Sequence, residues 1–419
     1  MSKLILFAAL AAMALPAGAT RRLTVAQLEK TLDAASEKHR ADDEAVHLLG
    51  EAVLTERLTD ASRDRIAASL HLSPKAILAL QLLADQSFYL DPPAAELPSA
   101  PAPDAVTAQR ILDDARIYVA KTLPRLPDFF ATRTTYRFDD SPQILGANQW
   151  PVRAGLHPVG KSSIEITFRN DQLEPPAPQP AKTASGPPAP VESPGEHGMQ
   201  TRGEFGVILA MIFVDAGKSG ISFHHWEQAP GGLVAVYRYA VPKSASQYTV
   251  DYCCIAFGSG GGGRQGGGRR GGGGSAQTAN APPDASNSLH KTVGYHGSLF
   301  IDPASGTIFR LTLEGEMGSG PVSRAAAVID YGPMVIGDRK YICPLRSIAL
   351  TEAEAGSNFA SSGVATDPYT GVNTIVQVNE TSFTDYHRLG STTRILTDAP
   401  ASPPAAAAPA PAPPPVAQP

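Results

Sequence analysis

No GxSxG, HExxH or CxxC occurs anywhere in the 419 residues, and no paired carboxylates stand at a catalytic spacing. The local patterns that mark a serine hydrolase elbow, a zinc-protease helix or a dithiol site are therefore missing. Cysteine is scarce, with Cys253, Cys254 and Cys343 making up the whole set. Only 18% of residues are charged and the formal net charge is −5, so the chain lacks the basic excess of a nucleic-acid binder. Past the first residues no apolar run is long enough to cross a bilayer. The longest, VILAMIFV from Val207 to Val214, has the length of a core element.

What is present at the start is MSKLILFAALAAMALPAGAT, with Lys3 ahead of an apolar run and Ala17, Gly18 and Ala19 as a small-residue cleavage site. This reads as a signal peptide over 1–19 cleaved after Ala19, which predicts a periplasmic or secreted protein without a transmembrane anchor. Proline and glycine, 38 of each, gather in low-complexity stretches: a Pro-rich insertion within 172–199, a Gly-rich one within 258–288 and a Pro/Ala-rich tail over 396–419. Such segments bury too little apolar surface to fold.

Between them the periodicity changes once. Residues 20–125 read as a helical N-terminal region. Thr24 and Gln27 form a capping box ahead of the stripe Val25, Leu28, Leu32 and Ala35. Ser73 and Pro74 open a second helix with Ile77, Leu80, Leu83 and Ala84 on one side, and Asp104 caps a third that ends before Pro124. Shorter helices are expected at 41–50 and 60–70. Over 130–395 the period becomes two, with strands separated by turn signals and one helix, GEFGVILAMIFVDA. The fold class is α+β: a curved antiparallel sheet, or half-barrel, with the nearly all-apolar helix packed on its concave side.

The Gly-rich stretch GSGGGGRQGGGRRGGGGSAQ lies between two strand signals and reads as the long connection between neighbouring strands. Its arginines are not interleaved with aromatics on which bases could stack, which argues against nucleic acid.

The order of strands and turns carries a resemblance. SGISFHHWEQAPGGLVAVYRYAV, then YHGSLFIDPASGTIFRLTLEGE, then VIDYGPMVIGDRKYICPLRSIAL resembles the body of periplasmic lipoprotein-carrier-like proteins of the LolA, LolB and RseB type. The chain as a whole, including QLLADQSFYLDPPAAELP and LPDFFATRTTYRFDD, is also similar to secreted bacterial proteins to which no activity is assigned. The carrier resemblance implies a half-barrel closed by a helix and non-enzymatic binding of an acyl chain or lipoprotein, with no cofactor and no catalytic residue. A structural or sensing module that contacts an envelope protein is the alternative, and a secreted hydrolase comes third.

Candidate site residues follow. Phe223, Trp226, Tyr237, Tyr239 and Phe309 either line a ligand cavity or fill the core between sheet and helix. In an oxidising compartment Cys254, on the apolar face of its strand, is expected to bridge to Cys343; Cys253 is left open as the pairing residue, and a vicinal Cys253–Cys254 bond would be strained. His224 and His225, with His296 and His387 as further donors, invite a metal reading. Neighbours on a regular strand point to opposite faces, so no metal site is expected.

Overall fold

A computed structural model describes residues 21–36, 41–121, 125–143, 152–153, 155–174, 198–217, 220–253, 288–354 and 374–390. The expected signal peptide with Ala19, most of the two insertions, Cys254 and the whole C-terminal tail lie outside the described residues.

The described residues begin with two short strands and four helices: β1 (Arg21–Leu23), α1 (Val25–Ser36), α2 (Ala41–Glu51), β2 (Ala52–Leu54), α3 (Asp60–Ser69) and α4 (Pro74–Ser87). The local signals act as their chemistry requires. Thr24 N–H donates to Gln27 Oε1 at 3.0 Å while Gln27 N–H donates to Thr24 Oγ1 at 3.2 Å, a reciprocal capping box. Ser73 Oγ accepts from Ala76 N–H ahead of Pro74. Val25, Leu28, Leu32 and Ala35 are all buried, the first three in a core shared with α2, α3 and α4. Ile77 departs from its expected stripe. It is 44% exposed, and Ala76 takes the buried place one residue earlier. Strands β1 and β2 form a small parallel pair that joins this layer.

After α5 (Ala105–Lys121) the chain becomes mostly strand: β3 (Phe129–Asp139), a ribbon of β4 (Pro142–Gln143) and β5 (Val152–Arg153), then β6 (His157–Arg169), β7 (Gln172–Leu173) and β8 (Gly198–Met199). Helix α6 (Val207–Asp215) precedes β9 (Ile221–Ala229), β10 (Gly232–Val241), β11 (Thr249–Cys253), β12 (Leu289–Thr292) and β13 (Tyr295–Ile301). The last four strands are β14 (Ile308–Gly315), β15 (Val322–Ile336), β16 (Arg339–Glu354) and β17 (Thr374–Arg388). Ten strands form one antiparallel sheet in the order β7-β6-β3-β17-β16-β15-β14-β13-β10-β9, which is not closed. The class is α+β, and α6 packs on the sheet. Strands β11 and β12, which flank the Gly-rich stretch, pair antiparallel in a separate small sheet with β8.

Both faces of the large sheet are covered. On one, α5 and α6 pack over Tyr237, Tyr239, Tyr295, Leu299, Leu311 and Ile329. On the other, Leu82 of α4 and Phe88 just after it pack over Val328, Ile348, Leu350 and Val378. The N-terminal helices are thus divided between the two faces: α4 joins one and α5 the other. This explains why β15 and β16 carry buried residues in runs such as Ala325–Ile329 instead of alternating. The described residues up to Arg388 belong to one compact unit. No helix among them is long and apolar enough to cross a membrane.

Candidate functional site

The edge hairpin of β9 and β10 decides where the candidate residues point. Pairing runs in step from Gly232 with Ala229 to Val236 with His225, then jumps to Tyr237 with Phe223. His224 is the extra residue of a β-bulge, which bends a strand and re-aims its side chains. Phe223 and Trp226 therefore share one face although they are three residues apart. Their ring centroids lie 5.2 Å apart, and Phe223 meets Tyr237 edge to face at 5.8 Å.

Four of the five expected cavity residues, Phe223, Trp226, Tyr237 and Tyr239, gather on the face covered by α5 and α6. They help fill a core. Tyr237 O–H donates to Ala108 O of α5, Tyr239 O–H to Thr312 O, each at 2.7 Å, and the Trp226 indole N–H to Pro101 O at 2.8 Å. Burial pushes the Tyr237 phenol up to about 12 and raises that of Tyr239 well above its ordinary value. Phe309 goes elsewhere. The register slips between Phe300 and Ile301, and Phe309 packs with Val234, Val236 and Phe300 on the opposite face.

The C-terminal end of α6 is fixed by Asp215, which is buried and accepts from Gln247 N–H, Gln247 Nε2 and Tyr295 O–H at 2.8 to 3.0 Å. Ile208, Leu209 and Ile212 face the core, while Val207 and Val214, 63% and 64% exposed, face outward with Ala210. The helix is apolar on both sides.

The bridge expected between Cys254 and Cys343 is not formed. Cys343 carries a free thiol, buried on β16 among Phe129, Phe168, Phe383 and Tyr386. Strand β11, which ends at Cys253, packs against Val293, Ala325 and Ala349, a cluster distinct from the one around Cys343. Cys253 is disulfide-bonded. Alternation assigned Cys254 a face but not a neighbour across the sheet.

The bulge also overturns the argument against the histidine pair. His224 and His225 lie on the same side, that of α4, with their Nδ1 atoms in hydrogen-bond contact and Asp91 beside them. His225 Nε2 donates to Glu227 Oε1 at 2.7 Å, and Arg57 Nη2 donates to Glu227 Oε2 at 2.5 Å. Arg57 is only 5% exposed, and its guanidinium sits 5.4 Å from the centre of the Phe300 ring. Arg57 N–H donates to Asp91 O at 2.7 Å, which fixes the Asp91 backbone, and the Asp91 carboxylate pairs with Arg238.

Burial opposes the charge on Glu227, but the His225 hydrogen bond and the Arg57 charge outweigh it and hold the carboxyl below its usual range. Burial, then the neighbouring Arg238 and His225, lower the His224 imidazole, which favours its neutral form. His296 and His387 are not part of this group. His296 lies near Glu314 on β13, and His387 stands opposite Phe130 on β17.

Beside the cluster is a polar cleft with room for about one water, lined by Arg57, Tyr89, Asp91, His225, Glu227 and Ser298 among others. Sequence reasoning missed Arg57 and Asp91, which come from the helical region with no spacing relation to His225. No protein-family model, no curated protein and no solved structure matches this chain.

Proposed function

We propose that this protein is an exported, non-enzymatic binding protein of the cell envelope whose ligand is apolar, an acyl chain or the lipid-bearing end of a lipoprotein. The observation that carries the reading is α6. A helix hydrophobic all round belongs in a core, yet here Val207 and Val214 are left outward on an element lying over an open antiparallel sheet. An apolar ligand would be met by this outer side and, with α6 displaced, by Phe223, Trp226, Tyr237 and Tyr239 beneath it. The signal read at 1–19 and the carrier resemblance support the same reading.

A second reading rests on the filled core. Because the tyrosine hydroxyls are tied to Ala108 and Thr312, the space under the helices is already occupied. This favours an envelope protein docking on α6 without opening it. The hydrolase reading gains a polar cleft, but its carboxylate Glu227 is held by Arg57 and His225. That leaves it less free to act as a base.

The test is native mass spectrometry with solvent extraction on residues 20–419, purified without detergent from an exporting host. Co-purified lipid, or uptake of fluorescent fatty acid that is lost in the Val207→Asp, Val214→Asp double variant, is the expected result. A ligand-free protein that takes up no fatty acid overturns carriage and leaves the partner-binding module.

A further inference from the structure

We propose that Asp91, His224 and His225 form a binding site for a late first-row divalent metal ion, Zn2+, Ni2+ or Cu2+. A carboxylate oxygen of Asp91 and one ring nitrogen from each histidine all lie within 4.8 Å of one another. Two imidazoles and one carboxylate suit these ions better than Mg2+ or Ca2+, which prefer oxygen alone. Three protein ligands leave a fourth position open to water, as in zinc sites that exchange a ligand.

Two features make this more than a chance cluster of polar side chains. First, the bulge at His224 turns two neighbouring side chains to the same side of the strand, which regular pairing forbids. Second, His225 already has the outer partner typical of a metal-bound histidine. Its Nε2–H donates to Glu227 at 2.7 Å, and Glu227 is anchored by the buried Arg57. That hydrogen bond fixes the tautomer in which His225 Nδ1 carries the lone pair. In the metal-free protein the Nδ1 of His224 supplies the proton to it. A cation would replace this proton, with both Nδ1 atoms as donors of electron pairs.

The competitor is Arg238. It pairs with the Asp91 carboxylate and its side chain is 44% exposed, so it can turn outward when a cation takes its place. Cys343 does not compete, because its thiol is buried away from solvent.

The experiment is calorimetric titration of chelator-treated, untagged residues 20–419 with Zn2+, Ni2+ and Cu2+. One equivalent is expected to bind, with at least a tenfold loss of affinity in His224→Ala. His224 is exposed, so its removal leaves the core intact. Glu227→Gln is expected to cost about 10- to 100-fold, as outer partners of metal-bound histidines do, and His296→Ala nothing. Arg238→Gln is expected to tighten binding several-fold, a gain that damage to the fold does not produce. Absence of a one-equivalent step with all three ions, or wild-type affinity in His224→Ala, overturns the proposal.

Discussion

Phe223 and Trp226 stand three residues apart on one strand yet meet edge to face at 5.2 Å on the same side of the sheet. Regular alternation places such a pair on opposite faces, so the contact exists only because His224 is looped out. Deleting His224 removes the extra residue and leaves Phe223 and Trp226 two positions apart, on the same face of a regular strand. The variant is therefore expected to keep both aromatics in the core, with a urea midpoint and Trp226 emission close to wild type. Trp226→Ala, by contrast, is expected to cost on the order of 2 to 3 kcal/mol. A deletion variant as unstable as Trp226→Ala would mean that the bulge itself is needed to hold the hairpin.

Gly306 tests how closely α5 lies on the sheet. It ends the turn that begins at Asp302, has φ +71°, and a Cβ there would come 2.4 Å from the backbone carbon of Asp114 in α5. Both the left-handed conformation and the contact exclude a side chain. Gly306→Ala is expected to cost roughly 2 kcal/mol or more by combining backbone strain with displacement of α5. Gly231→Ala, at a turn with nothing within 4 Å, serves as the control and should leave the denaturation midpoint nearly unchanged.

The division between what was legible and what was not follows from the range of the forces involved. Thr24 with Gln27, Ser73 with Ala76, and Asp104 with Thr107 act over three residues, so the helix starts could be read directly. The antiparallel class was legible for a similar reason, since turns such as Asp302–Gly306 announce themselves locally. Phe309 was misplaced because it is itself left unpaired where Phe300 pairs with Arg310 and Ile301 with Ile308, so counting alternation back from Leu311 gives it the wrong face. The Asp91, His224 and His225 cluster was hidden twice. Its bulge is invisible to alternation, and its carboxylate arrives from the end of the helical region, where only tertiary packing could bring it.

Asp85 gives the protein a pH signature. Burial pushes its carboxyl up to about 6, although Arg346 beside it acts in the opposite direction. Asp85 accepts from Gln81 Nε2 at 2.7 Å and from Arg346 Nη2 at 2.6 Å, while Arg346 Nε donates to Glu380 at 2.6 Å. A folded value above the unfolded one means that the folded state holds the proton more tightly. The contribution is full below about pH 4 and is lost as pH rises toward 6. Asp85→Asn removes this slope. The stability of wild type relative to Asp85→Asn should therefore fall between about pH 4 and pH 6 and stay level above it, as read by urea unfolding at each pH. A difference that rises over that window would show that Arg346 dominates and that Asp85 is ionised throughout.

Cys343 makes the last prediction, which concerns redox chemistry. Its thiol lies on β16 opposite Gly332, fully enclosed by aromatic side chains, and burial pushes it up to about 12. The thiolate is the reactive form, so enclosure and a raised pKa both suppress attack. An oxidising compartment does not oxidise a thiol that no partner can reach. Iodoacetamide should leave Cys343 unlabelled in the native protein and label it fully after denaturation in guanidinium. Cys343→Ser, which sets a hydroxyl among Phe129, Phe168 and Phe383, should destabilise by about 1 to 3 kcal/mol. Peptide mapping that finds Cys343 joined to another cysteine would instead mean that the enclosure of Cys343 opens in the oxidised protein.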